Sequence, residues 1–485
     1  MLVAIRQLKQ KYASLSQPVR AGLWYTVCNV LNKGISLLST PIFTRIMTEE
    51  QYGTFAIFQS WYNILLIFTS LNMFLGSYEK GLLLYRDDVD GFTSSLLSLV
   101  TTITAGFALI YAVAVPFWTK VFELSPPLMI AMFVELFSMP ALEFWTVRQK
   151  FEFRYRNFVI VSLLMNLLCL GTAVVAVMLT ESKVEARVFS DVGAKLLFAG
   201  SLFVMLMVRG KKFFDRKYWR YALAFNLPLI PHYLSNYVLN QSDRLMIGQM
   251  VGNAQAGFYS VAYTIATVVL LVSTAVNGAL TPYLFRRMEQ GDTTGVRGNT
   301  APLILLMAAL CVLTMTFAPE VIFLFAGQKY MDAIYVIPPV AASVFFIFLY
   351  SLFSSVEYFH QRTRGIAIAT TVSALLNIAL NYVGIKWFGY HAAGYTTLIC
   401  YIGLAFCHYL FYRRIVREEL ADCPPLYDVR LFLVSGGIMV GVTVLMAMTY
   451  RYFYIRYSLI VLLAIVAIVK RRPLIAALKR LKNKE

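Results

Sequence analysis

The stretch 221–263 reads YALAFNLPLIPHYLSNYVLNQSDRLMIGQMVGNAQAGFYSVAY. It opens as an apolar helix long enough to cross a bilayer. Two prolines, Pro228 and Pro231, break into it, with His232 directly behind and Asn226, Asn236 and Asn240 close by. Its apolar run closes on the adjacent charges Asp243 and Arg244. A proline inside a helix removes one N–H donor and crowds the carbonyl four residues back, here those of Ala224 and Leu227. In hydrocarbon such freed groups persist only against protein or a wet cavity. Two readings follow: a kink that serves packing, or an interrupted helix of the kind that marks a binding site at mid-membrane depth.

Outward from that stretch, the 485 residues are 59% hydrophobic and only 14% charged. The apolar residues come in long blocks, which is the composition of an integral membrane protein. A net charge of +18 would suggest nucleic acid in a soluble chain. Here the basic residues sit in short connections between apolar blocks, so the positive-inside rule explains them and no nucleic-acid role is assigned. Of the six cysteines, Cys28, Cys169, Cys311, Cys400 and Cys407 lie in apolar blocks, Cys423 does not, and none shows metal-ligand spacing. Neither a disulfide nor a metal site is expected. The first apolar block is long and lacks a small-residue cleavage site, so it reads as a retained span.

At about 20 residues per span, the sequence predicts an all-α protein with about fourteen transmembrane helices, at 21–44, 53–76, 94–119, 124–145, 158–180, 186–208, 221–242, 255–281, 301–326, 333–356, 365–388, 392–412, 430–450 and 453–469. Most of the 43 Lys and Arg fall in alternate connections and in both tails, which predicts an even span count with both termini cytoplasmic. The basic segment RGKKFFDRKYWR at 209–220 suggests a division into two halves. Thr44-Arg45-Ile46-Met47 followed by Tyr52-Gly53 is echoed by Asp243-Arg244-Leu245-Met246 followed by Ala256-Gly257. Six spans per half return the chain to the same side, so the halves would be parallel repeats. The expected organisation is a tail at 1–20, a six-helix bundle at 21–208, a linker at 209–220, a second six-helix bundle at 221–415, two further helices within 416–470 and a basic tail at 471–485. That last tail reads as an anchor to anionic lipid.

The segments LLSTPIFTRIMTEEQYGTFAIFQSW (37–61) and LPLIPHYLSNYVLNQSDRLMIGQMVG (227–252) resemble the polysaccharide-transporter family. That family holds the Wzx-type O-antigen and capsule repeat-unit flippases, within a superfamily that includes multidrug extruders and lipid II flippases. The resemblance spans roughly 15–415. It implies transfer of undecaprenyl-diphosphate-linked oligosaccharide across the bacterial cytoplasmic (inner) membrane by rocking of two bundles. It also implies partners in polymer assembly, a polysaccharide polymerase and a chain-length regulator.

Physically, such a task moves an anionic head past about 30 Å of hydrocarbon, where charge is costly. It asks for buried cations, polar groups for sugar and a scaffold with two states. Lys33, near the middle of the first span, is the foremost candidate for an anion contact, the alternative being an ion pair with Glu135. Lys195 is a second candidate, though Asp191 one turn before it would make a local pair. Glu135 could couple transport to H+ or Na+ or could pair with Lys33; no cofactor is called for. Glu143 reads as a rim charge near Arg148, and Glu357 as an interface salt bridge with Arg362 or Arg364. His232 could relay protons or be a hydrogen-bonded core group. Asn226, Asn236 and Asn240 are candidate sugar contacts. Arg45 and Arg244 hold matching places at the outer ends of spans 1 and 7, either as a gate that closes on Asp243 or as headgroup anchors. Asn166, Asn277, Asn377 and Asn381 offer helix-to-helix bonds or sugar contacts. A drug or cation antiporter of the same superfamily would favour a cavity dominated by carboxylates. A membrane glycosyltransferase or polymerase would need a sizeable outer loop, and the outer connections are too short for one.

Overall fold

A computed structural model describes residues 14, 16–420, 423–452, 454–458 and 461. Most of the expected tail 1–20 and of the last span 453–469, and all of the tail 471–485, lie outside the described residues. Among the described residues the regular structure is helical throughout, without a strand. In chain order the helices are α1 (Gln17–Ile46), α2 (Glu49–Ser70), α3 (Ser77–Leu84), α4 (Val89–Val113), α5 (Val115–Phe122), α6 (Pro126–Phe151), α7 (Tyr155–Leu179), α8 (Lys183–Gly210) and α9 (Arg216–Asn226). They continue as α10 (Ile230–Met250), α11 (Asn253–Ala266), α12 (Val269–Glu289), α13 (Val296–Thr316), α14 (Ala318–Ala326), α15 (Ile337–Phe359), α16 (Thr363–Phe388), α17 (Ala392–Glu419) and α18 (Val429–Thr449).

Helices cover the core of every expected block from 21–44 to 430–450. Among the described residues, nine are long and apolar enough to cross a membrane, and α11 with α12, bent by 40°, make a tenth if they form one span. The helices α1, α2 and α10 are long enough but more polar. The expected count of fourteen is therefore not reached among the described residues.

Local chemistry sets several helix starts. Thr48 and Gln51 form a reciprocal capping box at the head of α2, which satisfies two backbone donors that the helix itself cannot. Asp88, Asp215 and Asp428 cap α4, α9 and α18 through their carboxylates. The prolines at 228 and 231 do interrupt the helix: α9 stops at Asn226, a 3-10 turn covers Leu227–Leu229, and α10 begins at Ile230.

The chain forms two compact units, Met1–Tyr237 and Val238–Glu485. In the first, α6 and α7 pack along α8, and α1 along α7. In the second, α15 and α16 pack along α17. The fourth and fifth long helices thus lie against the sixth in each unit. The boundary falls inside α10, later than the expected linker at 209–220. The side chains give the reason. Lys212 pairs with Asp88 at 2.6 Å, which raises the Lys212 ammonium pKa through that hydrogen bond. Tyr218 donates to Asp88 at 2.8 Å and Trp219 to the Ser95 carbonyl at 2.9 Å. Tyr218 lies edge-on to Phe92 at 5.3 Å, and Ala222 is buried in the same cluster as Phe92 and Phe144. The start of the seventh expected span is therefore core material of the first unit.

Candidate functional site

In the first unit the close packing of α6 on α8 brings Glu135 against Lys195. The Lys195 ammonium lies 2.7 Å from Glu135 Oε1 and 2.7 Å from Asp191 Oδ2, and the Glu135 side chain is 1% exposed. A carboxylate removed from water this completely has to be paired. The local Lys195–Asp191 pair allowed by the sequence is present, and Glu135 joins it. Lys33 is therefore not the partner of Glu135, because Lys195 takes that place. Lys33 is exposed on α1, and among the described residues its ammonium has no ion-pair partner. Its neighbour Asn32 donates to Ser162 at 2.7 Å and accepts from Asn166 at 2.9 Å, which fastens the other side of α1 to α7.

In the second unit Asp243 is fully buried. Tyr259 donates to its Oδ2 at 2.5 Å, Thr397 to the same oxygen at 3.0 Å and Asn381 to its Oδ1 at 2.5 Å. Asn377 sits behind them, donating to Thr397 at 3.0 Å and accepting from Ser242 at 3.2 Å. Four helices, α10, α11, α16 and α17, thus meet on one carboxylate. This corrects the expectation that Asp243 and Arg244 close a span at its outer end. Both lie inside α10, which runs on to Met250. The helix need not reach water at Asp243, because neighbouring helices supply the donors. Arg244 turns away from this cage. It donates to Gln241 at 2.6 Å and to the Asn240 carbonyl at 3.2 Å, and its guanidinium lies 4.4 Å from the Tyr263 ring centre. Asn240 Oδ1 accepts from Tyr263 at 3.1 Å and from Tyr401 at 3.4 Å. Arg45 lies exposed in the last turn of α1.

The remaining candidates divide by burial. Asn226 is fully buried and donates to Ser77 at 2.8 Å and to the Ala222 carbonyl at 2.7 Å, so it ties α9 to α3 in this structure. His232 and Asn236 are half-buried, with Asn236 Nδ2 3.4 Å from His232 Nε2. Glu357 is a second correction. It lies 2.6 Å from His408 Nδ1, both side chains fully buried, while Arg362 reaches Glu419 at 3.0 Å instead. Glu357 faces α17 across the α15–α17 contact, whereas Arg362 and Arg364 lie past the end of α15. Asn277 bonds Ser351 at 2.9 Å, a link between α12 and α15.

Four groups were not singled out from sequence. His408 carries a signal that a sequence can show, an ionisable residue inside an apolar block. Tyr259 and Thr397 carry none, because nothing local marks a hydroxyl aimed at a distant carboxylate. Arg187, also unassigned, is 6% exposed between the rings of Phe43 and Phe55, at 3.8 and 3.5 Å from their centres.

The sequence profile of the family described as "Polysaccharide biosynthesis protein" matches residues 19–288, more than half of the chain. The chain belongs to the polysaccharide biosynthesis protein family. Among curated relatives, the chain is 24% identical over 386 residues to the "Lsg locus putative protein 1" of Haemophilus influenzae, with 76% of this chain and 92% of that one covered. It is 26% identical over 203 residues to an "Uncharacterized membrane protein" of the same organism, covering 41% of this chain and half of that relative's length. Among solved structures, it is similar to the lipid II flippase MurJ in an inward closed conformation, with a TM-score of 0.63 at 12% identity, covering 90% of this chain and all of that one. It is also similar to an inward-facing multidrug resistance MATE family transporter, with a TM-score of 0.62 at 14% identity, covering 80% and 95%. This member of the polysaccharide biosynthesis family therefore has the fold of membrane transporters and flippases. Among the described residues its buried charged groups hold helices together.

Proposed function

We propose that this protein moves undecaprenyl-diphosphate-linked oligosaccharide repeat units from the inner to the outer leaflet of the bacterial cytoplasmic membrane, for O-antigen, capsule or exopolysaccharide assembly. Both termini are cytoplasmic, and the two bundles work by alternating access. The observation that carries this reading is the state of the buried charges. Glu135 is ion-paired with Lys195, Asp243 is hydrogen-bonded by hydroxyl and amide donors, and Glu357 lies against His408. The exposed ionisable group at mid-helix on α1 is a cation, Lys33. An anionic diphosphate would gain from Lys33, whereas a cationic drug would be repelled by it.

Lys33 is then the first anion contact. The polar and aromatic side chains of the 226–240 stretch, His232, Asn236 and Asn240 among them, serve the sugar. Asp243 and Glu135 are the groups through which H+ or Na+ would couple to transport. Asp243 accepts from Tyr259, Asn381 and Thr397, so a proton or cation arriving there would displace donors from three neighbouring helices. A polymerase and a chain-length regulator would receive the delivered unit outside.

The test is transport in proteoliposomes holding a labelled undecaprenyl-diphosphate oligosaccharide, read by its accessibility to an outside glycan-modifying enzyme. Transfer that depends on the protein supports the reading. Transfer of lipid II alone would make the protein a lipid II flippase. Ethidium efflux without lipid transfer would make it an antiporter.

A further inference from the structure

At the turn between the fourth and fifth long helices of each unit, the same arginine arrangement occurs twice. In the first unit, Phe153-Arg154-Tyr155-Arg156 joins α6 to α7; in the second, Gln361-Arg362-Thr363-Arg364 joins α15 to α16. The backbones coincide. Phe153 and Gln361 take left-handed φ values of 54° and 56°. Arg154 and Arg362 follow as N-caps, both at φ −85°, with ψ of 54° and 51°. Each of these arginine N–H groups donates five residues back, to the Gln149 carbonyl at 2.8 Å and to the Glu357 carbonyl at 2.9 Å. Apart from the two arginines, the four-residue sequences share nothing.

Each turn lines a cavity. The first, about 360 Å³, is lined by Arg20, Arg154 and Arg156 together with Gln17 and Asn157, and by no carboxylate. The second, about 400 Å³, is lined by Arg362, Arg364, Arg414 and Glu418. The first arginine of each pair already has a partner: Arg154 meets Glu152 at 3.0 Å, and Arg362 meets Glu419 at 3.0 Å and Glu418 at 3.4 Å. Arg414 also meets Glu418, at 2.7 Å. The second arginines, Arg156 and Arg364, are exposed and have no ion-pair partner among the described residues. Trp24 stacks on Tyr155 at 6.3 Å beside the first turn, the kind of aromatic pair found at headgroup depth.

We propose that each turn is a binding site for an anionic phosphate headgroup, with Arg156 and Arg364 as the fork that takes the phosphate oxygens. Guanidinium matches phosphate in two-point geometry, and each fork sits in the first turn of a helix whose start has no side-chain cap, where backbone N–H groups favour an anion. The headgroup could come from a resident membrane phospholipid or from a polyprenyl diphosphate, so the sites do not depend on the cargo reading above.

The experiment is native mass spectrometry of the full chain in detergent, titrated with phosphatidylglycerol, with undecaprenyl diphosphate and with zwitterionic, net-neutral phosphatidylcholine as the reference. The expected result is two retained anionic lipids. Arg156→Ala and Arg364→Ala should each weaken one of them about fivefold, in line with about 1 kcal/mol per basic group at a membrane surface, and the double variant should weaken both. Lys120→Ala, on α5, should leave binding unchanged. Retention of phosphatidylglycerol identifies a resident lipid; retention of the diphosphate alone identifies a contact with lipid-linked cargo; both uphold the sites. A double variant that binds like the parent, or phosphatidylcholine held as tightly as the anionic lipids, overturns the proposal. Arg156→Gln and Arg364→Gln carry the test if an alanine variant does not fold.

Discussion

Lys195 and Asp243 are charges held among packed helices, whereas Lys33 is exposed on α1. Lys195 is paired with two carboxylates at 2.7 Å. Removing one partner of a buried pair leaves an uncompensated charge, so Lys195→Ala should destabilise the first unit by about 3–5 kcal/mol, and Glu135→Gln with Lys195→Met should recover much of that. Thermal unfolding in detergent reads both variants; an undisturbed Lys195→Ala protein would contradict the pairing. Lys33 has no such structural partner among the described residues, so Lys33→Ala should leave insertion and stability intact. Transport should fall about tenfold or more, the worth of one charge-assisted contact, and Lys33→Arg should keep part of it. Surface polysaccharide at the parent level in Lys33→Ala cells would remove Lys33 from the path. The pair Lys195–Asp191 was legible in the sequence, because one helical turn separates the two residues. Glu135 was legible as a buried charge but not as the third member, since its partner depends on which faces of α6 and α8 meet. Glu357 misled for the same reason: two arginines lie nearer in sequence, but His408 lies nearer in space.

Elements start and stop where local chemistry can satisfy the backbone. The break at Leu227–Leu229 could be read directly, because proline acts on its own chain. The end of the seventh expected span could not, because the donors that keep Asp243 inside α10 come from α11, α16 and α17. The same principle makes the start of α18 testable. Asp428 accepts from the N–H groups of Arg430 and Leu431 at 3.1 and 3.3 Å and from Arg297 at 2.5 Å. The Arg297 hydrogen bond holds the Asp428 carboxyl below the usual aspartate range. A depressed carboxylate stabilises the fold above its ordinary pKa and loses that contribution as pH falls through the lowered value. The cap should therefore persist through mildly acid conditions and open only below the ordinary aspartate range. Asp428→Ala should loosen the first turn of α18, seen as faster amide exchange at Arg430 and Leu431 at neutral pH. Unchanged exchange at those two amides would remove the cap from the account.

Across the whole molecule, the alternation of apolar blocks and basic connections was enough to predict an all-helical membrane protein, since bilayer thickness fixes span length. The chain forms two compact units, and each packs its fourth and fifth long helices against its sixth. The basic segment looks like a linker by composition, yet Tyr218, Trp219 and Tyr221 fasten it to the first unit. The central claim is that such a scaffold carries a lipid-linked oligosaccharide outward. The measurement that tests it most directly is the leaflet distribution of that lipid in cells with and without the protein, read by an outer-side glycan label. The repeat unit should accumulate on the cytoplasmic face without the protein and reach the outer face when the protein is restored. An unchanged distribution, with cells instead sensitised to cationic drugs, would contradict the flippase function and turn attention from Lys33 to Glu135.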